Sequence, residues 1–369
     1  MKSKKLFQVL VAAVMIVAVM LPACDNGGGV SPEDKLPSES EFKDHLTNQV
    51  NEVIIPTMVT YREKMDAFQT ALSGFASSID EANLNKLRSA YQEAYLAYQA
   101  AAVHNFYATS TQSLVDRSNL FPVDTTLLSE LIGNESYSFN TTAQERANGF
   151  PAIDFMLFGP KDVVAYFGED AKRMAFLDAL VGDMRSRAQT IEDQWSGNLK
   201  TNFINNGGTQ LGSSLSVQLN ESIVYYEDHI RENKVGIPIG RLGPNDSPIP
   251  ADATKIEAYY QSLAEGNENF TLQLLKASIE EMEDMYLGET FDGTDGQGFD
   301  NLLTSIEQNS IDSDIKLQFD EIYELISSRS SISGDETLYN SVQALVTLFK
   351  SDLFPVLNVQ DADGGNDGD

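Results

Sequence analysis

Reactive and metal-ligating side chains are scarce in this 369-residue chain, which holds one cysteine, three histidines and one tryptophan. A lone cysteine, Cys24, forms no disulfide within a chain. His45, His104 and His229 fall on three different predicted helices, and none belongs to a His-x-x-x-His or His-Glu-x-x-His pair, so a recognisable zinc site is absent. A Gly-x-Ser-x-Gly elbow, a P-loop and a dinucleotide fingerprint are also missing. Positive charge is sparse too, with 25 Lys and Arg against 55 Asp and Glu and a net charge of −30. Such a surface repels nucleic acid and anionic headgroups and favours cations or basic partners. Sustained strand-type alternation is lacking as well, and the reading is an all-α protein.

The one long apolar run lies at the start. Lys2, Lys4 and Lys5 precede Leu6–Leu21, whose only polar residue is Gln8, and Leu21-Pro22-Ala23-Cys24 follows. The run is short for a membrane span, and a basic head, apolar middle and small-residue end describe a cleaved signal peptide over 1–23. Leu-x-Ala-Cys resembles the lipobox of bacterial lipoproteins, which implies a lipid on Cys24 and a bacterial envelope location, periplasmic or at the outer membrane or surface. A lipid there anchors the protein to a membrane without spanning it. Losing the three lysines takes the net charge from −30 to −33. Residues 24–38 read as a flexible tether, and 361–369 as a disordered acidic tail.

Between tether and tail, helical spacing dominates. Predicted helices cover Glu39–Ser77, with a kink at Ile55-Pro56, then a stretch capped by Asp80 and reaching Tyr107, and one capped by Asp124 over Thr125–Ile132. Further helices run from Ala171 to Trp195, Leu215 to Asn233, Asp252 to Leu287, Phe299 to Ile306, Ser313 to Ser328 and Glu336 to Leu353. Gly207-Gly208 suggests a boundary between an N-terminal bundle (39–200) and a C-terminal bundle (201–360). A Gly-Phe step opens a short apolar helix at 149 and again at 298, as two related halves arising by internal duplication would produce. Glu280, Glu281, Glu283 and Asp284 read as a solvated helix face. Asp292-Gly-Thr-Asp-Gly296 reads as a solvated turn, since it lacks the calcium-loop spacing.

The segment Gly149-Phe-Pro-Ala-Ile-Asp-Phe-Met-Leu-Phe-Gly-Pro160 stands apart. Gly-Phe-Pro opens it and Gly-Pro closes it, leaving about two helical turns with Pro151 in the first, where a missing N–H costs nothing. Apolar residues cover nearly its whole circumference, predicting a helix buried on all sides. Asp154 then needs a partner, because an unpaired buried carboxylate costs several kcal/mol.

This segment is similar to the signature of the imelysin-like family, bacterial envelope proteins that commonly read Gly-x-His-x-x-Glu here. Phe121-Pro-Val-Asp124, Trp195, Lys234-Val-Gly-Ile-Pro-Ile-Gly240, Gly298-Phe-Asp-Asn-Leu-Leu303 and Asn366-Asp-Gly-Asp369 fit the family's order. The resemblance implies two helical-bundle halves and a part in metal or iron uptake as a binding protein, with a divalent metal or iron as cofactor. Two alternatives are a metallopeptidase and a non-catalytic scaffold for another envelope protein. Gly149 matches the motif, but Pro151 stands where the family has histidine and Asp154 where it has glutamate. Proline ligates nothing through its side chain, which argues against enzyme chemistry of the His/Glu kind. Asp154 is left to bind a metal or other ligand, or to pair with Arg117 or Lys234.

Overall fold

Met58, Tyr61, Met65, Phe68, Leu72 and Phe75 recur at spacings of three and four, and in the computed structural model all six lie on one buried seam. Burying each such side chain contributes roughly 1.5–3 kcal/mol. The structure describes residues 35–107, 113–242, 247–289, 293–334 and 336–362. The expected signal peptide, Cys24, nearly all of the tether, most of the acidic tail and residues 290–292 of the Gly-Asp loop lie outside them. No helix among the described residues is long and apolar enough to cross a membrane.

The first long element is a helix in three parts: α1 (Glu39–Asn48), a π-helical segment (Gln49–Ile54) and α2 (Ile55–Ser77). Asp80 caps α3 (Glu81–Val103) through the Asn83 N–H. Short helices follow, α4 (Leu114–Ser118), α5 (Thr125–Asn134), α6 (Gly149–Phe158) and α7 (Val163–Glu169), before the long α8 (Ala171–Gln194). A π segment (Trp195–Leu199) leads into α9 (Lys200–Asn205), and α10 (Ser214–Tyr225) runs through a third π segment (Tyr226–Gly236) into a single turn, α11 (Ile237–Ile239). A two-residue antiparallel pair, β1 (Arg241–Leu242) with β2 (Ser247–Pro248), interrupts the helices. Then come α12 (Tyr259–Glu265), α13 (Asn269–Leu287), α14 (Phe299–Ser305) and α15 (Asn309–Ser327). Last is α16 (Thr337–Thr347), continued by a π segment (Leu348–Leu353) into α17 (Phe354–Val356). The all-α expectation holds.

Pro56, Pro238 and Pro355 each stand two residues past the end of a π segment and in the first turn of the next helix. Proline has no N–H to donate, and its ring crowds the carbonyl four residues back. A turn wound one residue wider absorbs both effects without ending the helix. The expected kink at Ile55-Pro56 thus takes the form of a register shift, with Ile55 N–H reaching Val50 O, five residues back.

α2 packs between α3 and α8, while α3 also packs along α13, so helices from early and late sequence share one apolar core. The described residues from Leu36 onward form one compact unit. The helix expected from Asp252 to Leu287 is broken twice. Ala258 takes a left-handed conformation (φ 51°) and Gly266 another (φ 70°), leaving α12 as a separate short helix set against α6.

Candidate functional site

α6 begins at a crowded point. Asn148 accepts a hydrogen bond from the Gly149 N–H at 2.7 Å and donates to the Phe139 carbonyl at 3.1 Å. Gly149 has φ 68°, and a Cβ there would come within 2.1 Å of the Ser118 carbonyl oxygen of α4. Glycine is required by both torsion and contact. Phe150 then stacks on Tyr95 of α3, with centroids 4.3 Å apart and planes 2° from parallel. Phe150, Ala152, Ile153, Met156 and Leu157 are fully buried, as the pattern predicts, while Phe155 and Phe158 are partly covered.

Asp154 is buried too, with 2% of its surface exposed. Its carboxylate accepts the backbone N–H groups of Tyr260 (2.7 Å) and Gln261 (3.1 Å). These are orphan donors in the first turn of α12, which has no side-chain cap of its own. A carboxylate more than a hundred residues earlier therefore caps this helix. Burial pushes the Asp154 carboxyl up to about 7; the two N–H groups oppose that shift and Glu265 adds to it.

The expected side-chain partners of Asp154 are engaged elsewhere. Lys234, buried near the end of the π segment Tyr226–Gly236, makes an ion pair with Glu257 at 2.6 Å and donates to Gln99 Oε1 at 2.7 Å. Burial drives its pKa down and Glu257 opposes the fall. Arg117 of α4 lies 3.7 Å from Glu145. Both pairings replace the partnership with Asp154 suggested by the sequence, because backbone donors from α12 fill that position.

Glu257 is the functional-looking residue the sequence hid. It accepts from Gln99 (3.0 Å) and Asn119 (2.5 Å) through Oε1, and its backbone carbonyl accepts from Thr271 (2.7 Å). Ser278 donates to Gln99, and Tyr95 donates to Asn119. Tyr95 and Gln99 of α3, Asn119 just past α4, and Thr271 and Ser278 of α13 come from segments far apart in sequence, so no local pattern announces the cluster.

Between α6 and the segment entering α12 lies a cavity of 220 Å³ lined by Phe121, Pro122, Val123, Pro151, Asp154, Thr254, Ile256, Ala258, Tyr259 and Tyr260. Phe121-Pro122, joined by a cis peptide bond, and Pro151 with Asp154 come from two segments the sequence singled out. The structure brings them to one wall. Tyr259 and Tyr260 meet edge to face at 5.2 Å, and Phe155 meets Tyr260 at 4.9 Å.

A divalent metal does not fit this lining. A stable site needs several nitrogen or oxygen ligands converging at about 2.0–2.6 Å. The lining offers a single carboxylate, already taking two N–H bonds, and proline where the resemblance implies a histidine. No group of three or more His, Cys, Asp or Glu able to hold a metal occurs among the described residues.

A second cavity, of 250 Å³, corrects the expected solvated face on α13. Glu281 is buried, accepts from Thr57 at 3.1 Å and is bonded to His104 Nε2. With Asp284, Glu52 and Glu289 it lines the cavity. Burial and the neighbouring carboxylates push Asp284 up to about 8. Glu280 keeps to the exposed side, bonded to Lys276. His45 and His229 lie elsewhere, each pushed down by burial to about 4.

A family model described as imelysin, peptidase M75, matches residues 54–345 of the chain. No curated protein sequence matches. Two crystal structures share the fold. One is a protein from Parabacteroides distasonis provisionally designated an iron-regulated protein A precursor. It is 17% identical with a TM-score of 0.69, and the match covers 88% of this chain and 96% of that one. The other, an imelysin-like protein from Psychrobacter arcticum, also has 17% identity and a TM-score of 0.69, over 88% of this chain and 98% of its own.

Proposed function

The chain belongs to the imelysin family, and from that premise we propose that it is a non-enzymatic binding protein of the bacterial envelope whose ligand site is the cavity beside Asp154. The observation that carries this reading is the position of the cavity. It opens onto the family's signature segment, yet the donor set there suits a small ligand and not a water-activating metal. The neighbour named iron-regulated favours a role linked to iron uptake. In this reading the protein serves uptake by holding a molecule other than a bare ion at this site. A lipid on Cys24 keeps it at the membrane, which a Cys24→Ser chain tests by moving to the aqueous phase on detergent partition.

The metallopeptidase reading asks for a bound ion and a general base, and Pro151 removes the first ligand the family would use. Metal analysis of the purified protein and of Asp154→Ala decides between them. The binding reading expects equal, substoichiometric metal in both and no chelator-sensitive cleavage of peptides. A stoichiometric metal lost on substitution, or cleavage abolished by a chelator, refutes it.

A further inference from the structure

We infer that the cavity beside Asp154 takes the ammonium head of an organic cation, held between the Asp154 carboxylate and the aromatic residues Phe121, Tyr259 and Tyr260. The inference rests on the cavity being the ligand site and names the class of ligand. Three features of the lining point to it. The single charged group is a carboxylate buried to 2% exposure, whose two backbone bonds leave further lone pairs on each oxygen. All three aromatic residues are only partly covered, so the free protein leaves them open where most of its rings are sealed in the core. No lysine or arginine lines the cavity to neutralise the acid.

Each alternative ligand class fits worse. An anion would meet a carboxylate. A metal ion would find one carboxylate and no second carboxylate, histidine or cysteine in the lining. A neutral apolar group would leave the carboxylate dry and without a counter-charge, which is costly. An ammonium group satisfies both components of the wall, because aromatic faces attract cations at up to about 6 Å and the attraction grows on desolvation. The strongly acidic chain also raises the local concentration of cations.

Charged groups around Asp154 do not supply a competing cation. Glu265 of α12 adds negative charge, while Tyr91 and Tyr95 of α3 and Tyr260 are held protonated by burial first, with the Asp154 charge adding to it. Glu257 is matched by Lys234, Arg117 of α4 by Glu145, and Arg187 of α8 by Asp183. Arg88 of α3 donates to the Leu157 carbonyl at the far end of α6.

The test is calorimetric titration of the intact protein with choline and with its uncharged isostere 3,3-dimethylbutan-1-ol. Choline should bind at least about ten-fold more tightly at pH near 8. That preference should shrink about ten-fold at pH near 6, where Asp154 takes up a proton. Tyr260→Leu, which leaves the backbone donor to Asp154 in place, should weaken choline more than the alcohol. Equal binding of the two compounds overturns the cation assignment and leaves the cavity as a ligand site. Absence of saturable binding by both overturns the assignment too. A metal that binds there in the metal analysis overturns the underlying reading instead.

Discussion

Replacing Asp154 with asparagine removes one charge and keeps the side chain's shape, so it isolates what that buried charge does to stability. The carboxyl sits at about 7 in the folded chain, against 3.8 for an ordinary aspartate. An acid whose folded pKa is raised binds a proton in the folded state that the unfolded chain has already lost. In that window, between about 4 and about 7, stability falls as pH rises, and the loss is complete above it. Each unit of pH inside the window is worth about 1.4 kcal/mol. Between pH 5 and pH 8 the wild-type chain should therefore lose about 3 kcal/mol relative to Asp154→Asn. At the acid end the variant should be the weaker protein. Its amide presents one acceptor and one donor to two N–H groups, and an unsatisfied buried donor costs roughly 1–3 kcal/mol. Urea unfolding of both proteins at several pH values measures the difference directly, and titrations of all other groups cancel in it. A difference that stays flat with pH, or changes in the opposite sense, refutes the account of Asp154 as a carboxylate whose burial outweighs its two hydrogen bonds.

Three further outcomes are expected from the packing. Lys234→Met should cost about 3–5 kcal/mol by leaving Glu257 charged and unpaired, and adding Glu257→Leu should recover a substantial part of that loss in equilibrium unfolding. An additive double-variant cycle would show that the two side chains are not coupled. Gly149→Ala should cost at least roughly 1–3 kcal/mol, since it puts a Cβ into the Ser118 carbonyl at a left-handed position; an unchanged melting temperature sinks that claim. Asp284→Asn should become progressively stabilising as pH rises towards about 8, because the folded state resists ionising this residue; a pH-independent effect would show that Asp284 is freely solvated.

Much of the frame was legible in the sequence because helices write their buried faces at intervals of three and four. The seam of α2, the Asp80 and Asp124 caps and the burial of α6 on every side but that of Phe155 and Phe158 are local signals in the spacing. The site was half legible. Pro151, Asp154 and Phe121-Pro122 stood out as punctuation in the chain, but the donors to Asp154 are backbone groups of Tyr260 and Gln261. Any residue except proline carries such a donor, so nothing in the sequence marks it. The Asp252–Leu287 stretch misled for the same reason. Its apolar spacing continues across Gly266, and the distant carboxylate at Asp154 supplies the acceptor for the fresh helix start at Tyr259. On α13 the run of acids hid two environments, because Glu280 and Glu281 are neighbours in sequence but lie about 100° apart around the helix, one exposed and one buried.

The three wide turns ahead of Pro56, Pro238 and Pro355 also bear on how such a chain tolerates insertion and deletion. A π turn holds one more residue than the helix on either side needs, so removing a single residue there can restore ordinary winding while keeping the downstream helix in phase with its neighbours. Anywhere else in α2 or α10, the same deletion would rotate every later side chain by about 100° and turn the buried seam outward. The three segments also bear Gln49, Lys234 and Lys350, polar side chains sunk in the core. Trimming a wide turn would swing those groups away from Gln218, Glu257 and Glu227. Each of these three segments is thus the place where chain length can change with least damage to packing, and where the change would first be felt in the buried polar pairs.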